Sequence, residues 1–537
     1  MAQGQTLDFI FTGTRLRSLT LICSLNHMPM EESPHSMSRI TCPILSSKIT
    51  SAEEAASHIN DGDRVGMSGF TGAGYPKAVP GAVAERAKDS HQRGEEFGVE
   101  LWTGASTAPE LDGVLAEAGA LRKRLPFQSD PTLRKSINSG STEYIDTHLS
   151  HSAQQAWFGF YGNLDVAVVE VAAVLPNGLL VPGSSVGNSK TWLNLADKVI
   201  IEVNSWHPRA YEGFHDVYYG TRLPPERRPL QLLDPLQRIG DPYLRVDPEK
   251  VVAIVETDAP DRNLPFKDAD ESSKAMADHV VDFLRHEIDQ ERLPENLLPL
   301  QSGVGNVANA VMSNLAHSEF ENLTAYTEVI QDGMLDLIET GKLTAVSATS
   351  FSLSAERAAD FNENIESYKG RILLRTQEIS NHPEAIRRLG LIAINGMVEA
   401  DIYGNVNSTH VMGSSIINGI GGSGDFARNA YLNFFVSPSV AKDGAISSIV
   451  PFASHIDHTE HDTQILVTEQ GLADLRGLSP TARAKKIIHS CAHPDYRDRL
   501  QDYFDRAAAA NPNGRHTPHL LREALSWHEN FQDNGQM

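Results

Sequence analysis

The amino-acid sequence predicts an α/β protein with two open, largely parallel sheets, and three observations predict this class. Short apolar runs, typical of buried strands, alternate with segments whose apolar residues recur every three or four positions. The chain of 537 residues is longer than one ordinary hydrophobic core requires. A stretch from 211 to 266, dense in Pro, Arg and Asp, separates two such alternating series.

The alternation defines the individual elements. Helical spacing of apolar residues predicts helices at 78–87 and 272–287. Runs rich in Val, Ile and Leu predict strands at 65–70, 166–174, 179–181, 199–203, 251–255, 343–346, 389–394 and 465–467.

Two segments of the sequence resemble each other. Residues 64–70 lead from a strand-like run through a Ser-Gly pair towards the helix at 78–87. Residues 298–306 lead in the same way into a helical pattern at 307–315. Two related halves that face each other would enclose a cleft, which is a common place for a ligand site.

We therefore predict an N-terminal α/β domain at 38–245 and a C-terminal α/β domain at 246–530, after a leader at 1–37. In the leader, two short apolar runs flank Arg15 and Arg17, so the charges do not precede the apolar run as they do in a secretory signal. The leader is either disordered, a targeting segment, or an over-extended start before Met37. We expect a cytoplasmic location, or a mitochondrial one if the leader is a transit peptide.

Composition and charge exclude several classes of protein. The 46 basic and 69 acidic residues give a net charge of −23, whereas nucleic-acid binding needs a basic surface. The three cysteines have no paired spacing, so neither a disulfide framework nor a thiolate metal site is expected. No apolar run approaches the ~20 residues of a membrane span. We expect no nucleic-acid partner, no metal and no membrane contact.

Glu328 is the strongest candidate for chemistry. It follows a β-like run and precedes the helix-like pattern that begins at Met334. The carboxyl ends of strands are where an open α/β sheet binds its ligands. We therefore predict that Glu328 lies in a crevice and acts as a nucleophile.

Three glycine-rich loops could hold an anion. The loops at 301–310 and 418–426 each precede a helical pattern, and flexible backbone amides at a helix start favour an oxyanion. The third loop, at 68–77, ends at Lys77, which is the kind of residue that a phosphate or an anionic acyl group requires. An isolated G-x-G is usually a tight turn, but three such loops together favour binding.

Two further patterns allow other interpretations. His455, His458 and His461 suggest a metal site, although their spacing matches no standard ligand pattern and does not place them on one helical face. Residues 183–187 match G-x-S-x-G, the nucleophile elbow of serine hydrolases, which also needs Asp and His partners.

With these residues in view, the chain resembles the class I coenzyme A transferases, in the branch named acetyl-CoA hydrolase or succinyl-CoA:acetate CoA-transferase. The resemblance covers about residues 38–504 and implies two related α/β domains of the CoA-transferase type, with the active site in the cleft between them, in a homodimer. The motifs that carry it are SGFT at 68–71, PKAVP at 76–80, SGVGNVANA at 302–310, YTEVIQD at 326–332, NVNSTH at 405–410 and GIGGSGD at 419–425.

The resemblance also implies roles for single residues. Glu328 matches the nucleophilic glutamate, and Asn381 matches a polar residue near the reacting carboxylate. The backbone amides of Val304 and Gly422 match oxyanion contacts. Arg262 matches a contact to the substrate carboxylate. Residues that match positions lining the coenzyme A site are Gln301, Ser302, Gly303, Val304, Asn418, Gly422, Lys442 and Glu469.

The expected reaction moves coenzyme A from succinyl-CoA to acetate through a thioester on Glu328, with no tightly bound cofactor. The expected partners are acyl-CoA and short-chain carboxylates. An acetyl-CoA hydrolase that uses the same glutamate is the first alternative. A non-catalytic protein that binds acyl-CoA is the second.

Overall fold

A seven-stranded parallel sheet forms the first half of the computed structural model, which describes residues 38–263, 270–303, 305–510 and 515–537. The predicted leader at 1–37 and Val304 lie outside the described residues. The order of the sheet is Val251–Thr257, Lys198–Asn204, Val166–Val171, Arg64–Met67, Val99–Trp102, Leu121–Leu125 and Glu143–Tyr144.

A second sheet, with nine strands among the described residues, forms the other half. All neighbouring strands in it are parallel except the last two, which are antiparallel. Its order is His215–Asp216, Ile372–Arg375, Leu343–Ala348, Leu323–Tyr326, Leu300–Ser302, Ile392–Gly396, Leu432–Val436, Ile465–Thr468 and Gly471–Asp474.

The two sheets share one topology. Numbered along the chain, the strands of the first sheet have the spatial order 4-3-2-1-5-6-7. The seven strands between the two edge strands of the second sheet have the same order. Arg64–Met67 and Leu300–Ser302 hold equivalent central positions, as the internal resemblance predicted. The prediction of two related open-sheet α/β halves is therefore confirmed.

Short strand pairs extend the sheets towards each other. Phe70–Thr71 pairs with Ala105–Ser106 beyond the first sheet, and Val329–Gln331 pairs with Ser350–Ser352 beyond the second. The other short strands are Ala173–Val174, Leu180–Val181, Glu399–Asp401, Val406–Asn407, His410–Val411, Ser415–Ile416, Val440–Ala441, Ile446–Ser447 and Ile449–Val450.

Helices connect the strands, as parallel pairing requires. The predicted helices are observed at Val79–Gln92, Glu271–Asp289 and Asn306–Ala316. No helix in the described part of the chain has both the length and the hydropathy needed to cross a membrane. The other α-helices are Pro43–Ser46, Ala52–Ala56, Val114–Glu117, Pro131–Asn138, Leu149–Trp157, Ser189–Leu195, Asp332–Glu339, Ala355–Glu363, Gln377–Ser380, Pro383–Leu389, Ser423–Asn429, Pro480–Cys491, Pro494–Ala509 and Ser526–Asn534, with single turns at Pro109–Gly113, Arg209–Tyr211 and Ile365–Tyr368.

The first sheet extends beyond residue 245. Val251–Thr257 is its edge strand because this apolar run pairs along its length with Lys198–Asn204. His215–Asp216, in contrast, joins the second sheet. Buried residues of both sheets form one continuous core, and Arg39–Met537 is one compact unit. A division into domains at 245 remains a prediction, since the two halves share this core.

Candidate active site

A cavity of about 320 Å³ lies where the two sheets meet. The strands Leu300–Ser302, Leu323–Tyr326 and Ile392–Gly396 all end at this cavity. The order in which strands are added to the sheet changes direction between Leu300–Ser302 and Ile392–Gly396. Open α/β sheets bind ligands at such a point. The cavity wall from this half consists of Gly303, Glu328, Asn395, Gly396, Met397, Val398, Ser408, Ile417, Asn418, Gly419, Ile420, Gly421, Gly422 and Ser423.

The first half of the chain supplies an apolar part of the cavity wall. Phe70, Ala105 and Leu149 belong to one small buried cluster, and Phe127 packs against it. All four side chains line the cavity together with Thr71. A wall of this kind suits a small apolar group better than a charged one.

Glu328 occupies the position that the sequence predicted. It follows the strand Leu323–Tyr326 and precedes the helix Asp332–Glu339. Its backbone carbonyl accepts hydrogen bonds from the amides of Thr349 at 2.9 Å and Ser350 at 3.2 Å, so the backbone is fixed from the neighbouring strand. Its side chain is partly exposed and lines the cavity.

Asn381 is the direct partner of the Glu328 carboxyl. Its Nδ2 donates to Oε1 of Glu328 at 2.6 Å. The pKa of Glu328 is raised to about 7, mainly by burial; the bond from Asn381 opposes the rise, and the carboxyl of Asp425 adds to it. A desolvated carboxyl with a pKa near 7 is weakly hydrated and partly ionised at neutral pH, as a reactive carboxylate requires.

Gly422 approaches the carboxyl more closely than any other residue could. A Cβ at this position would lie 1.9 Å from Oε1 of Glu328 and 2.4 Å from Nδ2 of Asn381. Gly422 precedes the helix Ser423–Asn429 and lines the cavity. The glycine loop predicted to hold an oxyanion is therefore packed against the predicted nucleophile.

The first glycine loop also reaches the cavity that Glu328 lines. Gly303 lines the cavity, and its carbonyl accepts a hydrogen bond from Nε2 of Gln331 at 3.0 Å. Ser302 is buried, and Gln301 pairs its side-chain amide with that of Asn395. Asn418 lines the cavity, and its buried Oδ1 has no hydrogen-bond partner. An unsatisfied buried acceptor at a cavity wall is available to a donor group of a ligand.

Six predicted site residues do not line the described cavity. Gln301 and Asn381 each hydrogen-bond a lining residue, and Ser302 adjoins Gly303. The other three are Arg262, Lys442 and Glu469. Arg262 forms an ion pair with Glu110. Lys442 is exposed, with its ammonium 4.9 Å from the ring centre of Phe531. Glu469 accepts hydrogen bonds from the amide of Ser439 at 2.7 Å and from Gln470 at 2.9 Å.

The prediction that Lys77 is available to an anion is wrong. Its ammonium is buried and lies 2.7 Å from Glu170 and 3.0 Å from Asp261. The start of the following helix already has an anion, because the Glu202 carboxyl accepts from the amides of Lys77, Ala78 and Val79. Glu170, Asp261 and His207 form a buried group whose possible ligand atoms lie within 4.8 Å of one another, close enough to hold a metal ion. The Lys77 ammonium contacts both carboxylates and balances one of their two negative charges.

The other two patterns do not form the sites they suggest. The central serine of residues 183–187, Ser185, is buried and its Oγ has no hydrogen-bond partner among the described residues, whereas a nucleophilic serine donates to an imidazole. His455 pairs with Asp457, His461 is exposed, and His458 is buried with Nε2 at 3.2 Å from Ser423. The three imidazoles therefore have separate surroundings.

Several residues of the cavity had no signal in the sequence. Phe127, Leu149 and Asn395 are far apart in the chain, and nothing in their local sequence distinguishes them from core or loop residues. Phe70 and Ser408 stood inside motifs of the resemblance, but without an assigned role. The order of the strands is what brings these residues together.

Comparison with known proteins gives consistent results. The family model described as acetyl-CoA hydrolase/transferase N-terminal domain matches residues 45–256, and the C-terminal domain model of that name matches residues 358–504. Glu328 lies between the two matches. Among solved structures, RipA from Yersinia pestis matches with a TM-score of 0.66 and 24% identity, and the match covers 86% of this chain and 97% of the RipA chain. A 4-hydroxybutyrate CoA-transferase from Porphyromonas gingivalis has a TM-score of 0.59 at 21% identity, with 86% and 98% covered. These two likenesses support the fold.

Curated relatives match along most of their length. A succinyl-CoA:acetate CoA-transferase from Clostridium kluyveri is 49% identical, over 92% of this chain and 90% of the relative. A propanoyl-CoA:succinate CoA transferase from Escherichia coli is 46% identical, over 90% and 98%. An acetyl-CoA hydrolase from Saccharomyces cerevisiae is 46% identical, over 91% and 95%. The chain therefore belongs to the acetyl-CoA hydrolase/transferase family, whose members are enzymes that act on acyl-CoA.

Proposed function

We propose that this enzyme moves coenzyme A between short-chain carboxylates, converting succinyl-CoA and acetate to acetyl-CoA and succinate through a thioester on Glu328. The observation that supports this most is the carboxyl of Glu328 in the cavity wall, between the Asn381 amide and Gly422. A carboxylate attacks a thioester well only when it is desolvated and aimed, and this position provides both conditions.

The first half of the reaction has two steps. An ionised oxygen of Glu328 attacks the thioester carbonyl carbon, the carbon–sulfur bond breaks, and an acyl-glutamyl anhydride and the coenzyme A thiolate form. The thiolate then attacks the glutamyl carbonyl carbon, and succinate leaves with the anhydride oxygen. Glu328 is now a thioester of coenzyme A.

The second half repeats these steps in reverse with acetate. Each attack generates an oxyanion, and one well-placed donor contributes ~10²–10³ in rate. The Asn381 amide is the donor next to the glutamyl oxygen, and the backbone amides of Val304 and Gly422 are proposed as further donors. Binding of the remote part of coenzyme A assists every step.

Residues around the cavity are proposed to hold the coenzyme. Gly303 lines the cavity with the buried Gln301 and Ser302 before it, and Asn418 offers an acceptor without a hydrogen-bond partner. Lys442 and Glu469 are proposed to contact its outer part. Arg262 is proposed to bind the substrate carboxylate, which requires its pair with Glu110 to open.

Hydrolysis of acetyl-CoA is the second candidate, because fungal relatives at 45–46% identity are named acetyl-CoA hydrolase. The two reactions differ in whether water or a carboxylate reaches the glutamyl thioester. An assay of succinyl-CoA loss with and without acetate distinguishes them. We expect fast loss only with acetate, and equal rates would make hydrolysis the main reaction.

Trapping the intermediate tests the proposal most directly. The enzyme is incubated with succinyl-CoA, treated with borohydride and digested, and the peptides are measured by mass spectrometry. We expect the Glu328 side chain to be converted to an alcohol. An unmodified Glu328 peptide from an enzyme that turns over would refute the proposal. Glu328→Gln is the matched control, since the glutamine side chain occupies the same space but has no nucleophilic carboxylate.

Assembly is proposed from the resemblance, and location from the cysteine usage and the leader. We propose a homodimer, which light scattering coupled to size-exclusion chromatography would test. We also propose a cytoplasmic location, or a mitochondrial one if residues 1–37 act as a transit peptide. A fluorescent fusion with and without these residues separates the two locations.

A further inference from the structure

Glu110 forms an ion pair with Arg262 beside the cavity, and no proposed step gives this carboxylate a role of its own. The side chain of Arg262 is 64% exposed and that of Glu110 is 31% exposed. Arg262 donates to Oε1 of Glu110, and the hydroxyl of the fully buried Tyr75 donates to Oε2 at 3.1 Å. The Glu110 carboxylate therefore has one exposed partner that can turn away and one partner that is fixed.

Backbone hydrogen bonds place both members of the pair next to the cavity wall. The amide of Arg262 donates to the carbonyl of Gly72 at 2.8 Å, directly after the lining residue Thr71. The amide of Thr107 donates to the carbonyl of Thr71 at 2.9 Å, and Glu110 follows three residues later. A Cβ on Gly72 would collide with the Arg262 carbonyl, so the segments pack closely. Both charged residues are thus anchored to the same part of the wall.

We propose that Glu110 is a specificity-determining residue, which occupies the Arg262 guanidinium until a substrate brings a second carboxylate that displaces it. This inference rests on the proposed function, in which Arg262 binds a substrate carboxylate, and it assigns to Arg262 the carboxylate that does not react. Acetate and acetyl-CoA have no such group, so the pair stays closed and the arginine keeps its counter-ion. Succinate and succinyl-CoA open the pair, so their contact with Arg262 replaces an existing one.

The surroundings of the pair suit an exchange of partners. An exposed ion pair changes an equilibrium constant by about five-fold at most, so an incoming carboxylate can displace it. A guanidinium can donate two parallel hydrogen bonds to one carboxylate, whereas Glu110 shares its two oxygens between Arg262 and Tyr75. Burial holds the pKa of the Tyr75 hydroxyl far above its usual value, so this group stays a donor. The displaced Glu110 therefore keeps one hydrogen bond.

Glu110→Gln tests the exchange with two acceptors of equal chain length. Succinate and butanoate differ only in the group at the far end, and acetyl-CoA is the donor for both. The glutamine still accepts from Tyr75 but has no charge that holds Arg262. We expect kcat/KM for succinate to rise about two- to five-fold and that for butanoate to stay unchanged. An unchanged value for succinate, or an equal rise for both acids, would overturn the proposal.

A double-mutant cycle shows whether Glu110 acts through the arginine. Arg262→Met alone should lower the ratio of kcat/KM for succinate to that for butanoate. In this background Glu110→Gln should leave the ratio within about two-fold, because there is no guanidinium to compete for. A rise as large as in the wild-type background would mean that Glu110 only repels anions, and the proposal would be overturned.

Glu95→Gln is the matched control for a change of net charge. It removes one carboxylate from the exposed pair of Glu95 with Arg93, and we expect no change in the ratio. A rise equal to that of Glu110→Gln would assign the effect to overall charge and overturn the proposal.

Two further results separate the remaining explanations. Glu110→Ala should raise the ratio as Glu110→Gln does, and damage to the fold would not produce such a gain. If neither Glu110 variant folds, judged by circular dichroism, the residue is structural and the proposal fails. An unchanged ratio in Arg262→Met would refute the role of Arg262 and this inference with it. Trapping of wild-type Glu328 tests the proposed reaction separately.

Discussion

At the scale of single residues, Glu328 and Gly422 form the centre of the site, and both were predictable. Glu328 stood between a strand-like and a helix-like pattern, and Gly422 stood in a loop too rich in glycine for an ordinary turn. Their contact was not predictable, because 94 positions of chain separate them. A Cβ on Gly422 would occupy the place of the Glu328 carboxyl, so the position requires glycine.

Gly422→Ala should abolish most of the turnover while the protein still folds. The new methyl group displaces the Glu328 carboxyl, and a misplacement of about 1 Å can cost about 10²-fold in rate. The measurement is kcat for succinyl-CoA and acetate, together with the midpoint of unfolding in urea. Gly396→Ala is the matched control, since Gly396 also lines the cavity but a Cβ there meets nothing within 4 Å. Similar losses in both variants would contradict the explanation.

The activity should depend on the ionisation of Glu328. In the proposed mechanism only the ionised carboxyl attacks, and burial raises its pKa to about 7, so kcat/KM should rise with pH through this value. The raised pKa favours the folded state at low pH, and this contribution is lost as the pH rises through about 7. Asn381→Ala should move the acid limb to higher pH, because it removes a hydrogen bond to the ionised form. A flat profile from about pH 5.5 to about pH 8 would refute this assignment.

At the scale of elements, the alternation of strands and helices was predicted from local patterns, and the surroundings of Lys77 were not. Its partners Glu170 and Asp261 are 93 and 184 positions away. A local sequence shows a lysine next to glycines, and only the strand order shows that two buried carboxylates surround it. The segment before the helix Val79–Gln92 therefore has a structural role, because its lysine pairs with buried carboxylates.

Lys77→Met should destabilise the protein by about 3–5 kcal/mol, because it leaves two buried carboxyls without their cation. Urea unfolding at neutral pH measures the change. Arg93→Ala breaks an exposed pair with Glu95 and is the matched control, for which we expect no measurable change. If both variants unfold at the wild-type midpoint, the buried pair contributes nothing to stability.

At the scale of the whole molecule, the cavity belongs to neither half alone. The second half supplies Glu328 and the glycine loops, and the first half supplies the apolar cluster of Phe70, Ala105, Phe127 and Leu149. The presence of two related halves was predictable from the sequence. The residues of the apolar wall could not be predicted, because they share no sequence pattern and are brought together only by the packing of their strands and helices.

Ala105→Val should make the enzyme more selective for short acyl groups. Ala105 lines the cavity, and a larger side chain there reduces the space for an acyl chain. One methylene group in a pocket contributes ~1–3 kcal/mol, so kcat/KM for butanoyl-CoA should fall about ten-fold or more relative to acetyl-CoA. Ala82→Val, on the helix Val79–Gln92, adds the same group away from the cavity and should leave this ratio unchanged. An unchanged ratio in Ala105→Val would place the acyl group elsewhere.

The repeated strand order gives the two halves equivalent positions at the end of their second strands. Threonine follows the second strand in both halves, as Thr103 and Thr327, and the next residue is Gly104 in one copy and Glu328 in the other. A Cβ on Gly104 would lie 2.7 Å from Gln377 and 2.8 Å from the carbonyl of Gly69, so no acid fits there. Of the two equivalent positions, only the second can therefore present a carboxyl to the cavity, and the first half contributes apolar side chains to the wall instead.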